Sequence, residues 1–205
     1  MTATISRLYD NYADAQKAVQ GLEAAGVPHA DISIVANNSD NWYGGNKVDR
    51  DHDGVDDRAE GAGKGAGIGA GLGGAAGLLA GLGLLAIPGL GPVVAAGWLA
   101  ATAVGAAAGA ATGGIVGALT EAGVSKEDAP LYAEGVRRGG TLVSARVADA
   151  DRTRLDAILS QSAVNLQDRS AAWRKTGWQT FDPASKPYGA DEVQKERQLY
   201  GSGLR

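Results

Sequence analysis

The residues best spaced to do chemistry lie between Asp49 and Glu60, which read DRDHDGVDDRAE. Asp49, Asp51 and Asp53 alternate, Gly54 follows, and Asp57 and Glu60 complete the calcium-loop pattern D-x-[DN]-x-[DN]-G-x5-E. Calcium is bound through several oxygens at once. Alternate residues point inward around a tight loop, and the glycine allows the sharp turn. The carbonyl of Val55 supplies a further ligand, and Glu60 binds through both oxygens. Calcium is therefore the expected cofactor. Asp56 stands where paired loops carry an aliphatic residue, and Asn41 to Val48 (NWYGGNKV) makes a poor incoming helix. The reading is a single, unpaired loop that orders the glycine-rich segment after it, with an affinity on the order of 10⁻⁴ to 10⁻⁵ M. An acidic solvated linker is the plainer alternative.

That segment runs from Gly65 to Thr120 without one charged side chain. Gly61, Gly65, Gly69, Gly73, Gly77 and Gly81 form one series at a spacing of four. Gly97, Ala101, Gly105, Gly109, Gly113 and Gly117 form a second. Residues four apart share a helix face, so each series would let another backbone approach closely. The pattern predicts a helical hairpin, its first arm over Asp56 to Ala86 and its second over Val93 to Thr120. Ile87 to Pro92 breaks the helix between them. The uncharged stretches of the two arms would span roughly 30 and 40 Å as helices, enough for a bilayer. Leu78, Leu79, Leu82, Leu84, Leu85 and Ile87, with Val93, Val94, Trp98 and Leu99, make the tip its most apolar part. Arg58 and Lys64 before the hairpin, and Lys126, Arg137 and Arg138 after it, would keep both flanks cytoplasmic. Against insertion, glycine and alanine add little transfer energy, and glycine costs a helix about 1 kcal/mol relative to alanine. Such helices need close partners, either their own hairpin mate or hairpins of other copies stacked into a soluble ring, filament or cage.

The flanking segments must position this insert. Thr2 to Tyr9 reads as a strand, Tyr12 to Ala25 as a helix with Ala15, Ala18, Val19 and Leu22 on one face, and Asp31 to Ala36 as a strand. After a helix near Lys126 to Arg138, the same order returns. Thr141 to Val147 is a strand, Asp149 to Ser160 a helix, and Ala163 to Leu166 a short strand. Two such units predict an α+β class, a ferredoxin-like split βαβ domain interrupted by the Gly/Ala-rich hairpin. The expected organisation is a discontinuous domain over 1–38 and 123–168, a linker with the acidic loop over 39–60, the hairpin over 61–120, and a tail over 169–205. Trp173, Trp178, Phe181 and Tyr188 lie in that tail, which reads as extended or partly helical, its aromatics free to dock on a neighbour. Glu134, Arg137 and Arg138 beside Gly139 and Gly140 admit two readings, an anion site or a charged helix end stopped by glycine.

Composition narrows the classes. The chain has no cysteine and two histidines, His29 and His52, which leaves out disulfides, thiol catalysis and cysteine-type zinc. A net charge of −4 lacks the basicity of a nucleic-acid coat. The glycine repeats do not match phosphate-binding or dinucleotide fingerprints. No nucleophile constellation stands out, so the expectation is a protein that is not an enzyme and has no small-molecule substrate. The first residues lack a signal-peptide core, so synthesis in the cytoplasm is expected.

In order and type these segments resemble a family of bacterial general stress proteins that includes heat- and low-temperature-induced members. The matching residues are Leu8-Tyr9-Asp10, Ala18-Val19, Leu22, Ala25-Gly26 and Asp31 to Ala36. The Gly/Ala region and Tyr132 to Val143 match as well. The resemblance covers Thr2 to Arg169, implies a stress association, and brings no catalytic residues. The expected function is a stress protein that self-associates through its glycine hairpin at the cytoplasmic membrane, with calcium ordering the hairpin base. The alternatives are a soluble homo-oligomer with hairpins buried in its core, and a small-ligand-binding α/β domain anchored by the hairpin.

Overall fold

The computed structural model describes residues 2–43, 83–87, 89–100 and 114–200. Strand β1 (Thr2–Tyr9) is followed by α1 (Tyr12–Ala24), β2 (Ile32–Asn37), β3 (Gly83–Ile87) and β4 (Gly91–Ala96). Then come α2 (Gly114–Glu121), α3 (Ala129–Arg137), β5 (Thr141–Ala148), α4 (Arg152–Leu159), α5 (Leu166–Lys175) and α6 (Ala190–Tyr200). The expected first unit is present with bounds shifted by a residue or so, and the class is α+β.

One antiparallel sheet has the order β1-β5-β2-β4-β3. β5 lies between β1 and β2, paired in register from Thr2↔Ala148 to Tyr9↔Thr141 on one side and from Ile32↔Ala145 to Ala36↔Thr141 on the other. β1 and β2 are thus parallel to one another but joined only through a strand more than a hundred residues away. Both sheet faces are covered. Ile5, Tyr9, Ile34, Val143 and Val147 pack with α1 and α4 on one face. Leu8, Val35, Leu142 and Val93 pack with α2 and α3 on the other. Every residue of β2 is buried, as a strand sandwiched between two layers must be.

Two expectations change here. Ala163 to Leu166 forms no strand. Val164 N–H donates one hydrogen bond to the Leu8 carbonyl (2.8 Å), and Leu166 already opens α5. The four-stranded ferredoxin-like sheet is therefore replaced by a five-stranded one, whose extra strands come from the glycine region. There the predicted helix ends at Leu84–Ile87 and Val93–Ala96 are instead a β-hairpin, paired from Gly83↔Ala95 to Ile87↔Gly91, with β4 also pairing β2. The turn closes through Leu90 N–H to the Ile87 carbonyl (3.0 Å). Pro-Gly in sequence is a turn former, and β-branched Val93 and Val94 pack better on a pleated face than on a helix. Leu85, Ile87, Val93, Val94 and Leu99, expected at an apolar tip, are core residues.

Candidate functional site

Of the residues expected to self-associate, Gly61, Gly65, Gly69, Gly73, Gly77, Gly81, Ala101, Gly105, Gly109 and Gly113 lie outside the described residues. So does the whole acidic loop, Asp49, Asp51, Asp53, Val55, Asp57 and Glu60. Gly97 and Gly117 are described and do not share a helix. Gly97 closes β4 at φ +85, where a Cβ would stand 2.3 Å from the Ile32 carbonyl oxygen, while Gly117 is half-buried in α2. The smallness of Gly97 thus serves packing within the chain. Among the described residues no group of His, Asp and Glu is placed to hold a metal, and no helix is long and apolar enough to cross a membrane.

The arrangement with most polar chemistry surrounds the end of α3. Ser125 and Asp128 cap its start reciprocally, Asp128 N–H donating to Ser125 Oγ (3.0 Å) and Ser125 Oγ donating to Asp128 Oδ2 (2.8 Å). Gly139 N–H reaches back to the Val136 carbonyl, and Gly140 N–H to that of Gly135, a glycine stop as the sequence suggests. Glu134 is fully buried and paired with both Arg137 (2.8 Å) and Arg138 (2.5 Å). Arg138 also holds Glu196 of α6 at 2.8 Å and lies 5.0 Å from the Trp173 ring centre. Arg137 lies over Tyr188 and Phe181. Arg169 grips Asp10 with both Nη atoms (2.8 and 3.1 Å), and Arg197 pairs with Asp40. The remaining cavity, about 10 Å³, is far too small for a ligand. The guanidinium groups that could have bound an anion are already paired with carboxylates of the same chain, so the charged helix end is the reading that fits.

The tail is what fills this place. Trp173 (1% exposed) and Phe181 are buried, so the tail aromatics dock on their own domain. Sequence reasoning missed this clasp because its partners are remote. Arg138 and Glu196 are 58 residues apart, Asp10 and Arg169 159. The interleaving of cations and aromatic residues from Trp173 to Tyr200 was the one visible signal.

An open groove borders the edge of β1 that no other described strand pairs. A cavity of about 390 Å³ is lined by Thr4, Ser6, Ser125, Tyr132, Arg152 and Thr153 among others, and a second of about 290 Å³ continues past Arg7 and Tyr132 to Asn165. Tyr132 Oη (2.6 Å) and Arg7 Nη1 (2.8 Å) both donate to the Ser6 carbonyl, which blunts the strand edge. Burial pushes the Tyr132 phenol up, against the nearby Arg7 charge, so it remains a donor there. Arg7 is held in turn by Asp156 at 2.7 Å. The groove offers hydroxyls, a phenol and the exposed Arg152, a surface suited to polar contacts.

No curated protein and no solved structure matches the chain. Residues 4–83 match the family model described as the heat induced stress protein YflT domain. That span takes in β1, α1, β2 and the acidic loop and stops where β3 begins. Over residues 4–83, then, the chain carries a domain of a bacterial general stress protein family.

Proposed function

We propose that this is a non-catalytic stress-response protein that acts by self-association, with the loop from Asp49 to Glu60 binding calcium to order the glycine-rich insert. The observation that supports this reading is how the sheet frames the insert. The chain leaves after β2 and returns as β3, and both strands are paired to β4. Residues 44–82, with the acidic loop and the first glycine series, are therefore an excursion anchored at both ends in one sheet. Neutralising six clustered carboxylates in such an excursion removes mutual repulsion from a segment that cannot simply drift away.

Of the apolar residues that suggested tip-first insertion into lipid, Leu85, Ile87, Val93, Val94, Trp98 and Leu99 lie in the protein core. This favours a cytoplasmic assembly of copies over a membrane-inserted hairpin as the setting for the glycine series. Sedimentation of the purified protein, with calcium and with chelator, tests the reading, alongside flotation with vesicles. Calcium-dependent particles that remain with the soluble fraction support it, and Asp51→Asn with Asp53→Asn should abolish the dependence. A monomer under both conditions sinks self-association. Vesicle flotation that resists alkali assigns the insert to lipid instead.

A second reading, a small-ligand domain, is favoured by the groove beside β1. Saturable thermal stabilisation by a polar metabolite, lost in Arg152→Ala, would support it.

A further inference from the structure

We propose that α6 is a detachable strap, lying on the end of α3 and uncovering an arginine–tryptophan face when it leaves. An amphipathic helix holds its place by an apolar stripe. Among the eleven residues of α6 only Val193 is buried. Val193 rests on Gly139, where a Cβ would come within 2.6 Å of Val193 Cγ1, so the close seat exists because the domain offers a glycine there. The other attachments are polar. Glu196 meets Arg138, Arg197 meets Asp40 and the Gly139 carbonyl, and the Tyr200 ring lies 4.5 Å from the Arg169 guanidinium. Leu199, the remaining large apolar residue, points to solvent at 67% exposure.

One of these polar contacts holds only weakly, for burial prevails at Glu196 although Glu134 and Glu196 together hold the Arg138 proton more tightly. Burial pushes the Glu196 carboxyl up despite the pull of Arg138 and Arg169, and the charge of Glu134 adds to the rise. A buried pair whose desolvation outweighs its attraction contributes little to holding a helix down. The preceding tail differs, since Phe181 and Trp173 are set in the core. The hinge between anchored and lightly held segments is Gly189, whose N–H caps back to Glu192 Oε2 at 2.9 Å. Once undocked, an eleven-residue helix is marginal in water, so α6 unwinds as it leaves and its amides become open to exchange. Its departure takes Glu196 away, so Arg137 and Arg138 are left to share the single carboxylate of Glu134, and the Trp173 side of the cluster opens.

Hydrogen exchange on the full-length protein tests this, comparing amides of Val193 to Arg197 with those of β5. In the wild type the α6 amides should exchange at least about a hundredfold faster than β5, through a local opening. Asp40→Asn, on a distant loop, and Val193→Ala should each accelerate α6 by roughly tenfold and leave β5 unchanged. An α6 rate that ignores Asp40→Asn and Val193→Ala would mean a helix not docked in solution, and sinks the proposal. Equal acceleration of α6 and β5 would mean that α6 opens only with the whole fold, and sinks it equally.

Discussion

A methyl group at position 97 would press against the Ile32 carbonyl oxygen in a backbone at φ +85. Neither strain has an escape, because β4 is paired on both sides. Gly97→Ala should destabilise the fold by about 3 kcal/mol, read as a lower urea midpoint. At the other end of the pH scale, Tyr9 donates to the Leu159 carbonyl at 2.5 Å and is buried, which pushes its phenol up. Tyr12 is pushed up to about 12 by the same desolvation. Both groups hold their protons more tightly folded than unfolded. Their contribution is fully present below the free phenol value of ~10 and is lost as pH rises above it, for Tyr12 through about 12. Tyrosinate absorbance should accordingly rise late, together with unfolding. A titration in which all six tyrosines ionise near the free value, with the fold intact, would contradict this.

At the scale of elements, the C-terminal segment divides into an anchored and a lightly held part. Phe181 joins the core cluster beneath the sheet, and Phe181→Ala should cost about 3 kcal/mol in thermal or urea unfolding. Glu196→Gln should act in the opposite sense on α6. The buried carboxyl favours its protonated form, so docking strengthens as pH falls through its raised value, and the amide mimics that state at neutral pH. Slower exchange of α6 amides in the variant is the expected outcome, and faster exchange would show that the ion pair with Arg138 holds the helix after all. The β3–β4 hairpin teaches a related lesson about reading elements. Leu84 to Ile87 and Val93 to Ala96 carry no charge and little alternation, because both faces of their sheet are covered, so periodicity could not separate strand from buried helix. The Pro88-Gly89 pair was legible as a break in the sequence, but that the chain turns at Gly89 and Leu90 between paired strands depends on those strands.

In the whole molecule, β5 completes the unit that β1, α1 and β2 begin, for β1 and β2 touch one another only through it. A fragment ending at Gly83 contains the matched family span yet lacks β4, β5 and the helices of one face. It should show no cooperative unfolding transition, whereas a sharp one would mean that the first unit pairs differently by itself. β1, α1, β2, β5 and the glycine stop after α3 were set by the sequence alone, because each rests on local spacing: alternation, a helical face or φ-permissive glycines. Tertiary structure alone decided the order of the sheet, the hairpin in place of helix ends, the clasp of Arg138 with Glu196 and Arg169 with Asp10, and the groove beside β1. These depend on burial and on charges that meet across 58 to 159 residues of chain, and no local pattern records which remote partner will pay the desolvation of a buried charge.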